Sequence, residues 1–129
     1  MPDRIFVFLG ALNMFLAVGA GAFGAHGLRR ILSADMLQVW QTAVTYHMAH
    51  ALGLLAIAAL APRFAHAPGM WNAAGWLMFA GIVVFSGSLY LLAGTGIRWL
   101  GAITPLGGTA FLAAWALVAW QALRATSGS

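Results

Sequence analysis

The stretch TAVTYHMAHALG (residues 42–53) gathers Thr42, Thr45, Tyr46, His47 and His50 inside an otherwise apolar run. Residues of these types support four kinds of chemistry: acid–base work in an active site, metal or haem ligation, proton relay, and hydrogen bonding between helices. At about 100° per residue, Gln41, Thr42, Thr45, Tyr46, Ala49, His50 and Gly53 share one half of a helix. Trp40, Val44, Met48, Ala51, Leu54 and Leu55 share the other half, with His47 at the margin. The polar half is expected to face inward, because bare polar groups facing lipid are costly. His50 is then the residue expected near the bilayer centre.

An intramembrane ionisable side chain is a functional candidate by default. The candidate polar site comprises His50, Tyr46, Asn13, Thr45, Ser86 and Ser88, with His26, His47, Tyr90 and Thr104 as secondary members. The bland alternative is a neutral imidazole that joins two helices. A hydrogen bond from His50 to Asn13 or to Ser86 would satisfy it without catalysis. A metal or haem site would draw on His47 and His50, spaced i, i+3, together with His26. The apolar parts of the other spans contain no histidine, and both carboxylates, Asp3 and Asp35, lie at span edges. No metal or other cofactor is therefore expected. The chain also lacks cysteine and glutamate. Thiol redox, zinc–thiolate and iron–sulfur sites are excluded, as is a proton-driven exporter that relies on a buried glutamate. No recognised catalytic spacing appears, so covalent catalysis is not expected.

The elements that position these residues follow from composition. Of 129 residues, 63% are hydrophobic and 6% charged, against roughly 45–50% and about 25% in soluble domains. Four apolar stretches, at about 5–24, 39–60, 70–92 and 102–123, are each long enough to cross a hydrocarbon core of ~30 Å as a helix. Trp40, Trp71, Trp99 and Trp120 fall near their ends, as an interfacial belt requires. Arg4 and the small residues GAGAFGA (19–25) at the end of the first stretch resemble a signal peptide, but the apolar run exceeds the usual ~7–15 residues, so a retained helix is expected.

Residues 28–36 could form a short interfacial helix, since Leu28, Ile31 and Leu32 share a face away from Arg29 and Arg30. Ser33 or Asp35 suits an N-cap. Thr104 and Pro105 suit the cap and first turn of the last helix. Ala17/Gly21 and Ala20/Gly24 suit close helix approach. The fold expected is an all-α integral membrane bundle of four helices, up-down-up-down, with both termini on one side. Arg4, Arg63 and Arg124 lie on that side and Arg29, Arg30 and Arg98 on the other, so the positive-inside rule gives no orientation. The expected partners are the lipid bilayer and a second copy or another membrane protein, not nucleic acid, because no basic stripe exists.

Taken in order, GAFGAHGL (21–28), WQTAVTYHMAHALGLL (40–55), FSGSLYLLAGTG (85–96) and LGAITPLGG (100–108) resemble the YgdD/YwdK-type small bacterial membrane proteins. That family, of unknown function, is related to eukaryotic transmembrane protein 256. The resemblance spans nearly the whole chain and implies a four-helix protein of the bacterial inner membrane. Its motifs fall on His26, Tyr46, His50, Ser86, Ser88, Tyr90, Thr104 and Pro105, but it carries over no catalytic residue. The resulting expectation is a small transport, lipid-associated or accessory membrane component. The rival is a membrane enzyme or a metal- or haem-binding protein that uses His26, His47 and His50.

Overall fold

The computed structural model describes residues 2–125. Four long helices account for most of them: α1 (Pro2–His26), α2 (Ala34–Leu60), α3 (Pro68–Thr95) and α4 (Thr104–Ala125). All four are long and apolar enough to cross a membrane, and no strand occurs among the described residues. The links are short turns of 3-10 helix at Leu28–Arg30, Ala61–Phe64 and Arg98–Ala102. Such short links make successive helices antiparallel neighbours.

The expected interfacial helix over 28–36 does not form. Ser33 adopts an extended conformation, and its hydroxyl accepts the Met36 N–H at 3.2 Å. This cap starts α2 at Ala34 and leaves only one 3-10 turn upstream. Thr104 does not cap α4 either; it is the first helical residue, followed by Pro105. The helix α3 closes at Gly96, whose φ of 74° is the left-handed conformation that glycine adopts without a Cβ penalty.

Within α3, residues Ile82–Ser86 form a π turn. Such a turn widens the helix and redirects the side chains that follow it. Here it lies against a notch in α4, where a Cβ at Gly107 would overlap the Phe85 backbone. A second notch lies lower on α3, where the Phe6 ring of α1 occupies the space a Gly75 side chain would need. Around it Phe6, Leu54, Ile57, Trp71, Met78 and Phe111 form an apolar core.

Two of the four tryptophans assigned to an interfacial belt belong instead to this packing. Trp71 is buried, stacks on Phe64 and donates its indole N–H to the Ile57 carbonyl at 2.8 Å. Trp40 donates to the Ala20 carbonyl of α1 at 2.8 Å, and a Cβ at Gly24 would sit 2.6 Å from its ring. The indole N–H explains both, since a neighbouring helix carbonyl can hold it away from the headgroups. Trp99 and Trp120 are exposed near helix ends, where a belt places them.

The two adjacent glycines of α4 give a test of this packing. Gly107→Ala should lower stability by about 1–3 kcal/mol through overpacking against Phe85. Gly108→Ala, whose Cβ meets Phe85 only at an ordinary 3.8 Å, should be close to neutral. Thermal unfolding in detergent reads both, and equal effects would contradict the close approach at Gly107.

Candidate functional site

The second helix contributes to the bundle interior along Ala43, His47, His50, Leu54 and Ile57, all buried. The 4-3-4-3 spacing is that of a helix packing at a shallow angle against its neighbours. The expected inward half is therefore rotated from the observed one. Thr45 and Tyr46 are exposed, while Ala51 and Leu54, assigned outward, are fully buried. The threonines explain the error. Thr42 and Thr45 donate to the Gln38 and Gln41 carbonyls one turn back, both at 3.0 Å. A hydroxyl satisfied by its own helix can face lipid. An imidazole with two ring nitrogens needs other elements to engage both.

His47, placed at the margin by periodicity, is at the centre of the polar cluster. Its Nε2 lies 2.9 Å from Asn13 Oδ1 of α1, and its Nδ1 lies 2.9 Å from the Tyr90 hydroxyl of α3. The Asn13 amide nitrogen donates to the Leu9 carbonyl at 2.8 Å, which fixes the amide oxygen as the atom facing the ring. That oxygen only accepts, so Nε2 carries the hydrogen, and in the neutral ring Nδ1 accepts from the Tyr90 O–H. Asn13 thus serves His47, not His50. Ser86, also considered for His50, donates instead to the Ala43 carbonyl at 2.9 Å.

His50 has the opposite tautomer. Its Nδ1 lies 2.8 Å from the Tyr46 carbonyl, an acceptor, and its Nε2 receives the Trp115 indole N–H of α4 at 3.0 Å. A carbonyl on one side and an indole on the other admit only the neutral Nδ1–H ring. Its face stacks on Phe111 with centroids 3.5 Å apart and planes within 10°. His47 therefore joins α2 to α1 and α3, whereas His50 joins α2 to α4.

The remaining candidates fall into three places. Ser88 and Thr104 bring their hydroxyls to 2.6 Å across the α3–α4 junction. Tyr90 packs its ring on Trp40 with centroids 4.6 Å apart. His26 is exposed in the last turn of α1. It does not join the other histidines, and among the described residues no three metal-ligating side chains converge. Helix geometry gives the reason, because His26 lies at a span end and His47 and His50 lie in mid-span.

Sequence periodicity missed Trp115 and Gln121. With its amide oriented so that both atoms find partners, fully buried Gln121 donates to the Ala67 carbonyl at 3.2 Å and accepts the Trp71 N–H at 3.3 Å, where the first turn of α3 begins. The first turn of α3 is thereby tied to α4. The signal available was a lone amide in an apolar helix.

A groove of about 480 Å³ opens between α2, α3 and α4. Tyr46, His50, Phe85, Thr109, Phe111 and Trp115 are among its walls. Among the described residues, no buried side-chain nitrogen or oxygen lacks a hydrogen-bond partner. The ring nitrogens of both mid-span histidines are engaged.

Fold and site together define a four-helix integral membrane protein with a hydrogen-bonded polar interior. Residues 20–108 match the family described as "Protein of unknown function (DUF423)", and the chain belongs to that family. It is 55% identical to the UPF0382 membrane protein YwdK of Bacillus subtilis over 94% of this chain and 98% of that protein. It is 54% identical to a UPF0382 membrane protein of Staphylococcus saprophyticus over 89% of this chain and 93% of that protein. A Staphylococcus epidermidis relative is 50% identical over 94% and 97%. No solved structure matches the chain.

The geometry separates bonds between helices from bonds within one. His47→Phe leaves Asn13 and Tyr90 without their partner and should cost about 1–3 kcal/mol. Thr45→Val, which removes a bond within α2, should cost clearly less. Unfolding of both variants in mixed micelles is the measurement, and a tolerated His47→Phe would remove His47 from its central place.

Proposed function

We propose that the protein is a lipid-associated accessory component of the bacterial inner (plasma) membrane, working without covalent catalysis. The observation that carries this reading is the hydrogen-bond satisfaction of the interior. Both mid-span imidazoles, Asn13, Tyr90 and Ser86 each bond a neighbouring helix, and the second nitrogen of His50 is held by the Tyr46 carbonyl of its own helix. Groups engaged in this way bind helices together and are poorly placed to act as general bases or metal ligands. What the fold presents outward is apolar surface with two grooves, one of about 720 Å³ along α1 beside Phe23 and Trp40 and the one of about 480 Å³ beside Tyr46 and His50, and bilayer lipid is the partner that suits them. A second copy or another membrane protein would use the same outer face. The names of the relatives describe membrane proteins and no activity.

The enzyme or cofactor-carrier alternative requires His47 or His50 to surrender a hydrogen bond. The purified protein should show no Soret band and no stoichiometric metal lost on His50→Ala. It should retain lipid through detergent exchange, identified by mass spectrometry of the extracted protein. A haem spectrum, bound metal, or a proton flux in vesicles abolished by His47→Phe would refute the proposal.

A further inference from the structure

Tyr46 differs from the threonines and histidines of α2. Its side chain is 43% exposed and lines the groove. Its ring packs against Phe85 with centroids 4.6 Å apart. Its backbone carbonyl holds His50, but its hydroxyl has no hydrogen-bond partner among the described residues. Thr109, on the facing wall, donates to the Pro105 carbonyl at 2.9 Å, so its proton is committed elsewhere.

Depth makes this hydroxyl unusual. Tyr46 lies twelve residues into α2, about 18 Å from the helix start and about 21 Å from its end at 1.5 Å per residue. It therefore sits near the middle of a hydrocarbon core of about 30 Å. An unsatisfied hydroxyl there is costly, and water and headgroups are out of reach. Tyrosines in membrane proteins usually solve this by standing at the interface; Tyr46 does not.

We infer that the groove binds a neutral lipid with a planar, carbonyl-bearing head, of the prenylquinone class, and that Tyr46 donates a hydrogen bond to its carbonyl. The inference rests on the lipid-associated reading above and names its ligand. Three features select this class. The free protein group is a hydroxyl with a proton to donate, which a ligand carbonyl can accept. The groove walls hold no Asp, Glu, Lys or Arg, so a charged head has no counter-ion. The ester carbonyls of a phospholipid are held at the edge of the core, whereas a quinone head can enter its middle. The aromatic walls Phe85, Phe111 and Trp115 suit a flat ring, which gains from offset or edge contacts. A volume of about 480 Å³ accommodates the head and the first part of an apolar tail.

The test uses the full chain in phosphatidylcholine nanodiscs, titrated with a benzoquinone carrying a decyl tail. Binding is read by quenching of tryptophan fluorescence and by the amount of quinone retained per protein. Saturable binding near one per chain is expected. Tyr46→Phe should weaken it about five- to tenfold, the loss of one hydrogen bond. Gly108→Leu, which fills a groove wall where a Cβ meets only ordinary contacts, should abolish it, whereas Gly108→Ala should keep it. Thermal unfolding of each variant confirms that the protein tested is folded.

No saturable binding to the wild type, or equal binding by folded Tyr46→Phe, would overturn the inference. So would a dimer that dissociates on Tyr46→Phe and takes up no quinone, since a second copy would then satisfy the hydroxyl. If acyl lipids are retained and then lost in Gly108→Leu while the quinone never binds, the quinone assignment falls and the lipid-associated reading stands. If no form retains any lipid, both fall.

Discussion

A ring nitrogen in hydrocarbon has no water to bond, so His47 and His50 can occupy mid-span only where other groups meet their nitrogens on fixed sides. That requirement organises the bundle. Asn13 and Tyr90 close on His47 from α1 and α3, and Trp115 closes on His50 from α4. One helix thereby becomes the hub for the other three. Each such bond contributes modestly in a membrane, averaging about 0.6 kcal/mol. Their greater effect is on register, because a helix that slid by one residue would leave several polar groups unpaired at once.

Close approach has to be built into the backbone before these bonds can form. Gly24 admits the Trp40 ring, whose indole then reaches the Ala20 carbonyl. Gly107 admits the π turn of α3, next to Ser86, which reaches the Ala43 carbonyl. Small residues and buried donors are thus two halves of one arrangement. Where the pairing fails, at Tyr46, the side chain opens on a groove. The same residue serves the interior through its carbonyl and faces lipid through its ring.

The sequence made the four spans legible because length and hydropathy constrain a membrane helix more tightly than a soluble one. Ser33 announced the start of α2 through its capping chemistry. The rotation of α2 is not legible from polarity alone, because the hydroxyls of Thr42 and Thr45 are consumed one turn back. The seam Ala43–His47–His50–Leu54–Ile57 is present as spacing but is masked by these two threonines. The partners of the histidines were less accessible still. Which of Asn13, Ser86 and Tyr90 meets which ring depends on helix rotation and on the π turn at Ile82–Ser86, and composition marks neither.

Opposite tautomers at His47 and His50 follow directly from their partners and from no other role considered for them. Solid-state NMR of the protein labelled with ¹⁵N-histidine in bilayers, assigned with His47 and His50 variants, reads them. His47 should carry its hydrogen on Nε2 and His50 on Nδ1, both rings neutral at neutral pH. The same tautomer at both sites, an imidazolium at either, or a metal-shifted nitrogen would contradict a polar interior built to bind helices together.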